Sequence, residues 1–144
     1  MNKHWKSAEE NRSEKLKLLA QLLNDRLSGE YGRLASALTD DVVYRVVGDR
    51  LTCPFAGTAV GIRAMLDAIR RIDVHFEFLD MEDRTCIVDG DNVAIRWTGR
   101  WRNRGSGNSV DLEGFAHLVF EGDLVKEYTT FLDTAGLARL ADWP

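Results

Sequence analysis

Two histidines lie well inside the 144-residue chain and could do general acid–base work, His75 and His117. An imidazole changes charge near neutral pH, which suits it to proton transfer. His75 stands in Val74-His75-Phe76-Glu77-Phe78. There Val74, Phe76 and Phe78 claim the apolar side of a strand and leave His75 beside Glu77 on the other. His117 falls on the outward side of a later strand, opposite Glu127. Asp133 is a further acid/base candidate, at the end of the last strand and also facing outward. A metal centre needs several converging ligands. His75, Glu77, His117 and Glu127 have no ligand spacing, so no metal is expected. No P-loop, GxGxxG fingerprint or nucleophile elbow occurs, and no cofactor is expected.

The phenols offer a different chemistry. Tyr44 shares an early strand with Val46, and Tyr128 comes from a late one. If both face one cavity, they could donate hydrogen bonds to a ligand carbonyl or form an oxyanion hole. A buried tyrosine is also commonly a core residue with its hydroxyl tied to backbone. Thr130 could add a weaker donor or simply fill its strand. Trp97 and Trp101 share one side of a strand. Gly99 between them and Gly114 across from Trp97 remove side chains that would fill the space. Phe55 is expected near the entrance. Cys53 beside Pro54 reads as a small apolar filler, since no base is near it. Arg96, Arg100 and Arg102 alternate along a strand, which places them on one solvated, paired face rather than at an anion site.

The elements that must position these residues follow from periodicity. Ser7 with Glu10 reads as a capping box, and Leu16, Leu19, Ala20, Leu23 and Leu27 mark one face of a helix that Gly29 ends. A short helix carries Tyr31, Leu34, Ala35 and Leu38, stopped by Thr39-Asp40-Asp41. Residues 42–47 are rich in β-branched side chains and predict a strand. Residues 48–58 read as an irregular crossing. A third helix runs from about 60 to 72, with Ile62, Met65, Leu66 and Ile69 as its buried stripe. The period then drops to two, and strands are expected at 74–81, 84–88, 92–102, 109–120 and 124–132. Leu137 and Leu140 mark a last short helix. Helices followed by a meander predict an α+β fold: a curved antiparallel sheet wrapped around three N-terminal helices, with an apolar pocket.

Hairpin geometry sets the expected faces. Trp101 should lie opposite Val110, Trp97 opposite Gly114, Ala116 opposite Tyr128 and Gly114 opposite Thr130. The outer face then carries Arg100 against Asp111 and His117 against Glu127. It also carries Phe115, Val119, Val125 and Phe131. Apolar groups framed by paired charges suit a dimer surface.

Composition bounds the class. Hydrophobic residues are 44% and charged residues 29%, an ordinary globular balance. Lys plus Arg is 19 against 23 Asp plus Glu, a net charge of -4, so no nucleic-acid partner is expected. No apolar run is long enough to cross a membrane, and the opening MNKHWKSAEENRS lacks the apolar core of a signal peptide. Cys53 and Cys86 form no CxxC pair, so a cytoplasmic protein with reduced thiols is expected. Nothing divides the chain. Residues 13–144 are expected as one domain, with 1–12 a flexible segment or the start of the first helix.

Three segments carry a family resemblance: Leu38-Thr39-Asp40-Asp41, Pro54-Phe55-Ala56-Gly57-Thr58 with Gly61-Ile62, and Glu127-Tyr128 with Phe131-Leu132-Asp133-Thr134. With the element order, they make the chain resemble the SnoaL-like, nuclear transport factor two-like superfamily. That superfamily includes ketosteroid isomerase and limonene epoxide hydrolase. The resemblance implies a cone whose curved sheet wraps helices around an apolar pocket, and often a dimer through the outer sheet face. It also implies catalytic positions that this chain fills differently. The isomerase's base, tyrosine and acid fall on Val46, Leu22 and Ala116. The hydrolase's Asp-Arg-Asp set falls on Gly99, Trp97 and Thr130. The SnoaL-type aspartate is nearest to Asp133.

Two functions remain open at this point. One is a dimeric protein holding a small apolar or aromatic molecule through Tyr44, Val46, Phe55, Trp97, Trp101, Tyr128 and Thr130. It could be an isomerase, lyase or cyclase of unassigned reaction, or a binding protein without turnover. The other is a non-catalytic protein-interaction module using the outer sheet face. An open aromatic cavity with convergent polar groups favours the first. Closure by Trp97 and Trp101 favours the second.

Overall fold

A computed structural model describes residues 6–141, the side chains of 82 and 83 excepted. Ser7 caps the first helix, α1 (Ala8–Leu27), accepting a hydrogen bond from the Glu10 N–H at 3.0 Å. The face that α1 buries is Leu19, Leu22 and Leu23, flanked by Lys15 and Asp25. Ala20 and Leu27 are exposed, so the inward stripe is rotated from the expected one. After α2 (Tyr31–Ser36) the chain enters β1 (Leu38–Val47) at once. Leu38 and Thr39-Asp40-Asp41 belong to that strand rather than to a helix end. Backbone pairing with the last strand, Leu38 to Val125, overrides the local turn chemistry.

The crossing is not wholly irregular. Its end forms β2 (Gly57–Val60), antiparallel to β1 from Val43↔Val60 to Val46↔Gly57. Then α3 (Ile62–His75) buries Met65, Leu66, Ile69 and Ile72. It runs three residues past the expected end at Ile72, to His75, so Val74 and His75 lie on a helix and both are exposed. The two strands expected at 74–81 and 84–88 are one, β3 (Phe76–Asp89), whose pairing shifts at Phe78/Asp80 and at Glu82/Thr85. β4 (Asn92–Asn103), β5 (Ser109–Glu121), β6 (Leu124–Leu132) and α4 (Thr134–Ala141) complete the chain.

The sheet is curved and open, ordered β2-β1-β6-β5-β4-β3. The expected all-antiparallel sheet is corrected to a mixed one, because β1 and β6 run parallel. They are the two ends of the strand sequence, joined through everything between them, so no hairpin dictates their direction.

The β4–β5 register is the expected one: Trp97↔Gly114, Trp101↔Val110 and Arg100↔Asp111. The β5–β6 register is displaced by two residues: Leu118↔Tyr128, Ala116↔Thr130 and Gly114↔Leu132. An even displacement keeps every side chain on its face. His117 therefore lies opposite Thr129, and Glu127 opposite Val119. A bulge between Val119 and Phe120 turns Val125 inward, where it is 1% exposed and leaves the outer apolar patch.

Candidate ligand-binding site

Rings occupy the space that the sheet glycines leave. A Cβ on Gly114 would stand 2.0 Å from Trp97 Cζ2, and one on Gly99 would stand 2.7 Å from Phe78 Cζ. Phe78 packs between the two indoles, 5.4 Å from Trp97 and 5.1 Å from Trp101. The expected open space is thus largely filled, because aromatic faces press against bare backbone where no Cβ stands in the way.

What remains is a cavity of about 50 Å³. Its walls are Leu23, Arg26 and Leu27 from α1, Ile72 from α3, Tyr44 from β1, and Phe78 and Met81 from β3. Trp97 and Trp101 from β4, with Tyr128, Thr130 and Leu132 from β6, close the sheet side. The fold therefore brings Tyr44, Trp97, Trp101, Tyr128 and Thr130 together. Val46 and Phe55 line a second hollow of about 120 Å³ under the crossing, with Arg50 and Arg71, and Tyr44 borders both.

Tyr44 and Tyr128 lie side by side across the parallel β1–β6 pair, with rings 5.6 Å apart and inclined at 65°. They are neighbours on one wall of the cavity rather than groups on opposite sides of it. Burial pushes both phenols above the usual tyrosine range, so both remain neutral donors at ordinary pH. The indole Nε1 of Trp101 is buried with no hydrogen-bond partner.

The other acid/base candidates stand elsewhere. His117 is exposed, with Nε2 2.9 Å from Asn92 Oδ1. Asp133 accepts the Gly136 N–H at 2.9 Å and caps α4. His75 is exposed, its ring 6.1 Å from Phe55. Among the described residues no group of three or more His, Cys, Asp or Glu could hold a metal ion, and no helix is long and apolar enough to cross a membrane.

The sequence reading missed Arg26. It stands three residues past Leu23 and seven past Leu19, a basic residue in line with the buried face of α1. Helical spacing could have shown it, had that face been placed correctly. Its partner Asp73 comes from the last turn of α3, with Nη1 of Arg26 2.8 Å from Asp73 Oδ1.

A cavity of about 50 Å³ has room for a few waters. An aromatic ligand would need more, and its entry would require part of the wall to yield. β3 is the suitable part, since its pairing with β4 is broken on both sides of Met81. Methionine is also the most adaptable of the lining side chains.

Comparison with known proteins adds the fold's relatives. Residues 20–128 match the SnoaL-like domain. A nuclear transport factor 2-like protein from Burkholderia xenovorans LB400 is 17% identical, with 90% of this chain and 96% of that one covered at a TM-score of 0.77. TerC, co-crystallised with polyporic acid, is 12% identical, with 90% and 99% covered at 0.78. A hypothetical protein with a ketosteroid isomerase-like fold from Catenulispora acidiphila DSM 44928, in complex with trimethylamine, is 15% identical, with 88% and 96% covered at a TM-score of 0.73. No curated protein matches the chain in sequence.

Proposed function

Because this chain belongs to the SnoaL-like domain family, we propose that the cavity between α1 and the inner sheet face binds a small, flat aromatic or apolar molecule. Trp97, Trp101 and Phe78 fill most of the expected space, which taken alone favours the interaction module; the unpartnered Trp101 indole N–H outweighs it and carries the ligand reading. A buried donor left without a partner costs about 1–3 kcal/mol, and such a group calls for an acceptor that the protein itself does not supply. Trp101 is among the residues that line the cavity, together with Tyr44, Tyr128 and Thr130, and its buried Nε1 lies within that wall. Donor-bearing side chains in an aromatic enclosure are the usual form of a small-molecule site. Related structures with polyporic acid and trimethylamine bound support a ligand-holding role for the fold. The same donors would stabilise an enolate, which suits an isomerase, lyase or cyclase.

Naphthol titrated into the protein should shift and saturate the Trp101 indole N–H signal in an NMR spectrum. Indole signals of Trp97 and Trp101 that do not move would remove this reading.

The outer face supports a second role. Phe115 and Phe131 are paired in register, 41% and 44% exposed, with rings 6.4 Å apart. They border a shallow groove with Arg96, Glu113 and Asp133. We propose homodimerisation through this face. Phe131→Lys should shift the sedimentation profile from dimer to monomer, because a buried unpaired ammonium is costly. A wild-type monomer at assay concentrations would contradict the dimer. A cytoplasmic site of action fits the free thiols of Cys53 and Cys86.

A further inference from the structure

Arg26 is the one charged side chain among the described residues that line the cavity. It projects from the last turn of α1, on the side that Leu19, Leu22 and Leu23 have turned inward. The side chain is 17% exposed, and its Nη1 lies 2.8 and 3.0 Å from the two oxygens of Asp73. The Tyr31 hydroxyl donates to Asp73 Oδ2 as well, and the Arg70 guanidinium covers the Tyr31 ring at 4.8 Å. Arg104 Nε donates to the Asp73 carbonyl at 2.8 Å. Asp73 is therefore held from α1, from α2 and from the loop after β4. It engages Arg26 through one nitrogen, and Nε and Nη2 are not spent on it. A planar guanidinium with unspent donors is well shaped to receive an oxyanion.

The rest of the lining points the same way. Tyr44, Tyr128, Thr130 and Trp101 can all donate, and among the described residues no carboxylate lines the cavity. The charge of Arg26 draws both phenols back down against the burial that pushes them up, so it is felt at both hydroxyls. Phe78 and the two indoles supply a flat apolar surface beside these donors. An oxyanion alone would waste the rings, and an apolar molecule alone would leave the indole N–H, and the Arg26 donors not spent on Asp73, unanswered.

From this juxtaposition we propose that the ligand is an aromatic oxyanion, a carboxylate or phenolate, gripped by Arg26 while Asp73 and Tyr31 act as positioning residues. The proposal rests on the reading of the cavity as a small-molecule site and adds the charge of the molecule. A carboxylate and its amide separate the two ideas. Naphthoate and naphthamide are titrated near neutral pH, each followed by the Trp101 indole N–H signal. Naphthoate should bind about tenfold tighter or more, as a charge-assisted contact implies. Arg26→Gln should bring the two affinities together while naphthamide still binds, and Arg26→Lys should restore part of the preference. Tyr31→Phe should narrow the preference without weakening naphthamide, which a merely structural role would not do. Equal saturable binding of both ligands to wild type overturns the charge assignment and leaves the cavity site standing. Equal loss of both ligands in Arg26→Gln also overturns it. Failure of both to bind wild type overturns the site as well.

Discussion

The two faces of strands β4, β5 and β6 are built from one alternating sequence, yet they handle polar groups in opposite ways. On the outer face several polar groups find partners. Arg100 lies 3.1 Å from Asp111 and 3.0 Å from Ser109 Oγ, Arg102 pairs with Glu77, and His117 meets Asn92. Water and neighbours share that work, and each pair is worth little. On the inner face the Trp101 indole has no partner, although its surroundings would penalise the omission most. Thr39 Oγ1 is the other buried polar atom without a partner among the described residues; of the two, the indole lies in the cavity wall, and it is the basis of the ligand site proposed above. The outer face keeps only its exposed phenylalanines as a sign of contact.

That contrast can be broken at the glycines. Gly114→Ala should be the most damaging small substitution, because its Cβ would stand 2.0 Å from the Trp97 ring. Overpacking of this kind costs about 1–3 kcal/mol, and denaturant unfolding would read it. A stability close to wild type would mean that the indole can step aside and that the inner face is looser than its packing implies.

The next effect is one of pH. Burial raises the Tyr44 and Tyr128 phenols above their usual value of 10.0. The unfolded chain gives up those protons first, so the folded state binds more protons in that region. Stability is therefore fully present below about pH 10 and is lost as pH rises beyond it. Tyr44→Phe should flatten that alkaline fall. An unchanged slope would show that the phenols are better solvated than the cavity suggests.

The smallest effect is expected outside. Arg100→Ala should change stability by no more than about 1 kcal/mol, since its pair with Asp111 is exposed. Raised salt should erase most of that difference. A larger loss would mean that the outer charges are more than a solvated surface and would weaken the contrast between the faces.

What the sequence could show was everything that depends on near neighbours. The capping of α1 by Ser7, the α3 stripe and the pairing of Trp97 with Gly114 rest on spacings of a few residues or on one hairpin turn. Side-chain parity survived even where the β5–β6 register was misjudged, because the error was an even number of residues. What lay beyond it was decided by contacts distant in the chain. The parallel pairing of β1 with β6 set Tyr44 beside Tyr128 and drew Leu38 into a strand. The bulge at Phe120 turned Val125 inward. The rotation of α1 brought Arg26 to Asp73, 47 residues away. Periodicity tells which side of an element is apolar, but it cannot say which polar group a distant element will place against it. Only when packing had filled the glycine spaces with rings did the remaining cavity, and the place of Arg26 in its wall, become defined.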